Sequence, residues 1–247
     1  MTLKTKFFII SAVILMGACV LPMYTSWDLA QKEAERKEVA RKGVELVAAI
    51  NSLARKIEPL GANSAWPKTE VPSDRKFTHR EHISDKAFTN AESYFEFLLD
   101  GTRIGQADWR PFVDGIDYSH LAGAGVPIKH GGGKLSGENT MWCILADFNF
   151  CYQYNLPVLV TRNVDVDVLE AAIRRGVHPD DKTPVTLGRD FSTPFGDRVA
   201  VVVTAGGKVL MLDGKNLTVG ACFDNKKFSI PPGCPDGPRV RYLKPSK

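Results

Sequence analysis

The residues whose types and spacing could support chemistry are few and widely separated. His79 and His82, in the run Thr78-His79-Arg80-Glu81-His82, stand three apart and would share a helical face. That is metal-ligand spacing, but no third ligand accompanies it, and a solvated loop is the plainer reading. Asp165, Asp167, Asp180 and Asp181 offer the hard oxygens that calcium requires, although Asp167 also stands where it would cap a helix. Gly131-Gly132-Gly133 has the composition of a phosphate cradle, yet no helix opening on Lys-Ser or Lys-Thr follows it. His120, His130 and His178 sit in loop-like sequence without evident partners. Neither a nucleophile elbow nor a serine-triad or cysteine-protease spacing can be assigned. The chain therefore reads as a non-enzyme with no cofactor, calcium being the one metal considered.

Five cysteines are present. Cys19 lies in an apolar segment, and the other four are Cys143, Cys151, Cys222 and Cys234. Pairing as Cys143–Cys151 and Cys222–Cys234 is one of three connectivities open to them. An even number of cysteines in this part fits an oxidising compartment outside the cytoplasm. The second loop, CFDNKKFSIPPGC, has little capacity to pack a core, and a bridge there would restrict the unfolded chain by roughly 2–4 kcal/mol.

The elements that must position these residues begin with an apolar run. Phe7 to Tyr24 reads FFIISAVILMGACVLPMY, with Ser11 its one clearly polar side chain. As a helix it spans roughly 27 Å, close to the ~30 Å hydrocarbon core. Lys4 and Lys6 precede it with no acid between, the flank of a signal or anchor whose start faces the cytoplasm. Phe7, Ile10, Ile14 and Leu21 are the expected lipid or helix contacts. Pro22 is an expected bend, and Tyr24 and Trp27 suit the far interface. Met16-Gly17-Ala18-Cys19 loosely matches a lipoprotein signal.

Residues 28–60 continue as helix, rich in Ala, Glu, Lys, Leu and Arg. They are polar all round at first, with four-residue pairs such as Glu33–Lys37 and Arg41–Glu45, and Gly43 is a weak point. A stripe then appears at Leu46, Ile50, Leu53, Ile57 and Leu60, which is one helical face. The expectation is a single helix of roughly 55 residues, about 80 Å long, that docks on a head through Leu46, Ile50, Leu53 and Ile57. Residues 61–88 read as a connecting loop. Thr89-x-x-Glu92 reads as a capping box opening a short helix from Ala91 to Leu99. Residues 101–137 hold 9 of the 21 glycines and read as loop. Strands are expected at Met141–Ala146 and Pro157–Thr161, then a short helix capped by Asp167 and closed at Arg175-Gly176. A hairpin of Val199–Thr204 and Lys208–Leu212 follows. The fold class is α+β, with a mostly antiparallel sheet. Three parts result: the membrane half of the helix (1–27), its amphipathic half (28–60) and an extracytoplasmic head (61–247). The net charge of +4 gathers at the chain ends and marks no nucleic-acid-binding face.

In this order and spacing the residues resemble type IV pilins and the pseudopilins of type II secretion. Met1-Thr2-Leu3, Pro22 and Tyr24 fall in the register of that family's long helix, Trp66-Pro67 matches an aromatic-Pro pair after it, and residues 156–163 and 197–218 resemble the C-terminal part of pseudopilin-like proteins from verrucomicrobial, lentisphaeral and planctomycete bacteria. The resemblance implies a non-catalytic, single-pass inner-membrane subunit of a secretion or pilus-type assembly. Its helix would pack against the sheet of a head in the periplasm or outside the cell. The implied partners are the lipid bilayer, other pilin-like subunits and an inner-membrane assembly platform. It also implies a C-terminal disulfide loop and, in some relatives, calcium in the head. Thr5 stands where the family carries an acid, and no leader ending in Gly precedes Met1. The alternative is a membrane-tethered extracytoplasmic binding module, lipoprotein or otherwise, that does not polymerise.

Overall fold

The computed structural model describes residues 3–57, 65–70, 86–100, 115–122, 135–147, 154–188, 198–230 and 240–246, with backbone alone for 3–26, 56–57 and 100. The chain divides into two compact units, Met1–Glu38 and Val39–Lys247. The first consists of the earlier part of α1 (Leu3–Ile57). Its surface carries the four-residue ion pairs Lys32–Asp28 at 2.6 Å and Lys37–Glu33 at 2.8 Å. Among the described residues no helix is long and apolar enough to cross a membrane. The side chains of Phe7, Ile10, Ile14, Leu21, Pro22 and Tyr24 lie outside the described set.

The second unit is α+β. It holds the last turns of α1, then α2 (Ala91–Asp100), a 3-10 turn at Tyr118–His120, β1 (Trp142–Ala146), β2 (Pro157–Thr161), α3 (Val166–Arg175), β3 (Val199–Thr204), β4 (Val209–Asp213), α4 (Val219–Cys222) and β5 (Arg241–Leu243). The strands form one sheet in the order β4-β3-β2-β1-β5, and every pairing is antiparallel. Trp142 pairs with Thr161, Ile144 with Leu159 and with Leu243, and Val201 with Met211. Because paired residues share a face, Trp142, Ile144, Leu159 and Val203 lie on one side. Cys143, Leu145, Val160, Val202 and Tyr242 lie on the other. Both sides of the central strands are covered: every residue of β1 and β2 is buried.

α1 covers the Trp142 side. A Cβ placed on Gly43 would meet the Trp142 ring at 2.8 Å and Val203 at 2.9 Å, so the helix approaches the sheet closely at a residue that lacks a Cβ. The glycine that reads as a weak point in the helical sequence is a point of close packing. α3 covers the other side with Leu169, Ala172 and Ile173, all wholly buried. Its Glu170 accepts the Tyr242 amide of β5 at 2.7 Å, which satisfies an edge amide that another chain could otherwise pair with.

The caps fall one or two residues from where the sequence pattern places them. Asn90 rather than Thr89 caps α2, accepting the Ser93 amide at 3.0 Å; Glu92 is buried instead and accepts the Ser246 amide at 2.9 Å. Asp165 rather than Asp167 caps α3, whose C-terminal Gly176 has φ +84°. In both cases two nearby residues can cap; at α3 Asp167 is engaged by Lys244 instead, and at α2 Glu92, the other member of the expected box, is engaged by Ser246. Trp66 is wholly buried, and the Tyr94 hydroxyl of α2 donates to the carbonyl of Ala65 at 2.9 Å.

Replacing Gly43 with Leu should destabilise the second unit by about 1–3 kcal/mol, because overpacking against a Trp ring exceeds the gain in helix propensity. Chemical denaturation of the full chain measures this; an unchanged midpoint would mean that the ring yields freely.

Candidate functional site

The stripe on α1 builds the principal seam. Leu46 and Ile50 are wholly buried and Leu53 is 7% exposed. The side chain of Ile57 lies outside the described residues. The buried face is wider than the 4-3-4 stripe, for it also takes in Val39, Ala40, Val47 and Ala54. Small residues there permit close approach, and a pattern search keyed to large apolar side chains passes over them. Each large side chain so buried stabilises docking by roughly 1.5–3 kcal/mol.

Polar pins fix the seam in register. Asn51 Nδ2 donates to the carbonyl of Ala205 in the β3–β4 turn at 3.0 Å. His120 Nε2 stands 3.1 Å from Glu45 Oε2 of α1, and Arg41 of α1 holds the other oxygen of Glu45 at 2.5 Å. The Trp142 indole donates to the carbonyl of His120 at 2.9 Å, so one short turn is tied both to α1 and to β1. Within that turn Asp117 Oδ1 accepts the Ser119 amide at 2.9 Å and its hydroxyl at 2.6 Å, and lies 2.8 Å from His120 Nδ1. The Ser119 hydroxyl, against partial burial and aided by His120, holds the Asp117 carboxyl below the usual carboxylate range. Sequence reading leaves His120 without a partner because Glu45 is 75 residues away along the chain.

On the opposite face of the sheet a half-open cleft of about 390 Å³ has walls that include Cys143, Arg162, Val164, Val166, Lys244 and Pro245. Its wall is mostly hydrocarbon. Arg162 Nη1 donates to the carbonyls of Gly137, Glu138 and Thr140 at 2.7–2.9 Å, and Lys244 pairs with Asp167 at 2.6 Å. The two cations thus build the wall of the cleft, Arg162 by fastening the turn before β1 and Lys244 by tying the C-terminal segment to α3.

Cys143 and Cys222 are free thiols in this structure, both buried. The bridges expected from the sequence would join them to Cys151 and Cys234, which lie outside the described residues. Burial pushes each described thiol up to about 12, so neither is a nucleophile at neutral pH. The four aspartates weighed for calcium are engaged separately. Asp165 caps α3 and Asp167 pairs with Lys244. Asp181 pairs with Arg175 at 2.5 Å and accepts the Thr183 amide. Burial alone would raise Asp181, but its Thr183 and Arg175 hydrogen bonds outweigh that and lower it. Asp180 is exposed beside His178. Among the described residues no group of three or more His, Cys, Asp or Glu could hold a metal ion. His79, His82, His130 and the triple glycine lie outside those residues.

Comparisons with protein-family models, with curated proteins and with solved structures return no match for this chain.

Replacing Leu53 with Asp places a charge in the seam, and the loss should reach about 3 kcal/mol or more. The expected readout is faster proteolysis in the last turns of α1; unchanged resistance would mean that the stripe faces water. Thiol labelling addresses the cysteines. In the native protein Cys143 and Cys222 should resist alkylation, and after denaturation without reductant both should label. Failure to label in the denatured chain would show that they are paired after all.

Proposed function

We propose that the protein is a pseudopilin-like structural subunit, anchored by the apolar run of residues 7–24 and presenting an extracytoplasmic α+β head, with no chemistry of its own. The observation that carries this reading is the seam: the amphipathic part of an N-terminal helix lies buried along Leu46, Ile50 and Leu53 on an antiparallel sheet. Supporting it are the apolar run of 18 residues upstream, Ser11 its one clearly polar member, long enough to span a hydrocarbon core, and the Trp66-Pro67 pair that follows the helix. The partners in this reading are the bilayer, other pilin-like subunits and an assembly platform in the inner membrane.

The absence of any carboxylate between Met1 and Trp27 shapes the role. A charge in the bilayer needs a partner, and helices of identical copies would offer none here. The reading is therefore a minor subunit among motif-bearing relatives rather than a self-sufficient polymer. The cleft of about 390 Å³ favours a second reading, a tethered binding module that never assembles.

Membrane fractionation and electron microscopy test both. The full chain should resist alkaline extraction from membranes. Replacing Ile14 with Arg should move a large share of it out of the membrane fraction, since an arginine at the centre of a spanning helix costs about 3 kcal/mol. Purified alone it should form no long filaments, and cross-linking in its own cells should capture other pilin-like subunits. Long regular filaments of this chain alone would make it a major subunit. A membrane protein that captures no such subunits would be the tethered module, and a protein extracted by alkali would defeat both readings.

A further inference from the structure

His120 presents both ring nitrogens to carboxylates, Nδ1 to Asp117 Oδ1 at 2.8 Å and Nε2 to Glu45 Oε2 at 3.1 Å. A neutral imidazole has one N–H and can donate to only one of them; an imidazolium has two and satisfies both. The Asp117 amide lies 3.2 Å from Nδ1 and can donate there only when Nδ1 carries no proton. Neutral His120 therefore has its own set of bonds, with Nε2–H on Glu45 and Nδ1 accepting from the Asp117 amide. That set leaves Asp117 Oδ1 against a nitrogen lone pair. Protonation turns the repulsion into a second charge-assisted hydrogen bond and makes the Glu45 contact an ion pair.

The surroundings suit a group that responds to protons. From α1 come Glu45 and its partner Arg41; from the turn come Asp117 and the Ser119 hydroxyl; from β1 comes the Trp142 indole on the His120 carbonyl. The imidazole is 11% exposed, while Glu45 and Asp117 are 41% and 70% exposed. The ring is thus shielded, and both carboxylates remain in touch with solvent.

We propose that His120 is a proton-operated latch: protonated, it clamps the turn at residues 117–121 onto Glu45 of α1, and deprotonated, it loosens that turn and the Trp142 indole anchored to it. The sign is fixed by the two carboxylates. The clamp belongs to the imidazolium, which can donate to both carboxylates at once, and is undone in the neutral ring, which can donate to only one. It is lost again in strong acid, where Asp117, held below the usual carboxylate range, takes up a proton. The latch does not depend on whether the protein assembles, for its groups all belong to one chain.

Hydrogen exchange of the full chain in detergent, at about pH 5.5 and about pH 8 and corrected for intrinsic rates, tests the latch. Peptides covering residues 115–122 and 141–147 should be about fivefold more protected at the lower pH, while residues 199–204 serve as a reference that does not change. Glu45→Gln and Asp117→Asn keep the side-chain shapes at a half-buried and an exposed position, so both are expected to fold, and each should reduce the ratio to about twofold or less. His120→Gln should abolish it. Equal protection at the two pH values in the wild type, or an undiminished ratio in both isosteric variants, would overturn the latch.

Discussion

The contact on which the second unit depends is the approach of α1 to the Trp142 ring at Gly43. A glycine inside a helix sacrifices about 1 kcal/mol of propensity, and here it lets an indole and Val203 occupy the space a Cβ would fill. The consequences propagate from Trp142. Its ring lies under the helix, its N–H holds the carbonyl of His120, and the imidazole of His120 returns to Glu45 on the same helix. Apolar contact and polar pins thus form a closed circuit of helix, strand and turn. Breaking any one member leaves a buried donor or an unfilled space, which is costlier than the bond itself.

The sheet carries a second constraint. An antiparallel sheet commonly leaves one face to water, but here α1 covers one side and α3 the other. Strands such as PVLVT and VAVVVT are accordingly apolar up to their last residue rather than alternating. Polar side chains admitted to this layer serve the backbone. Thr161 accepts the Val201 amide, Thr204 accepts the Lys208 amide, and Asn163 donates to the carbonyl of Val199. These bonds hold strand ends where the ladder no longer supplies partners. The end of β2, fastened this way to β3, leads into the Arg162 and Val164 wall of the cleft.

Function follows from where charge is placed. Among the described residues the two thiols, Cys143 and Cys222, are buried, and acids such as Asp165, Asp167 and Asp181 serve as caps and in surface pairs. The shielded imidazole of His120 sits between α1 and the turn at residues 117–121. This is an arrangement for holding a junction between α1 and the sheet, and it agrees with the structural role proposed above. The proton latch gives such a junction a means to respond to its surroundings without a ligand.

Much of this was legible in the chain. The stripe Leu46, Ile50 and Leu53 marks the docked face because a helix repeats every 3.6 residues, whatever the partner. β1, β2 and the β3–β4 hairpin are marked by β-branched runs and the Ala205-Gly206-Gly207 turn between the last two. What sequence left open were choices between near-equal local options. Thr89 or Asn90, and Asp165 or Asp167, can each cap; Glu92 went to Ser246 and Asp167 to Lys244, residues 154 and 77 positions away. The same holds for the use of Gly43, the partner of His120 and the cleft beside Cys143, all of which depend on strand order. Local periodicity and turn chemistry are written in neighbouring residues, so the sequence by itself determined the elements and their apolar faces. Which side chains meet across tens of residues is settled when the sheet closes, and tertiary structure alone decided the latch, the caps and the cleft.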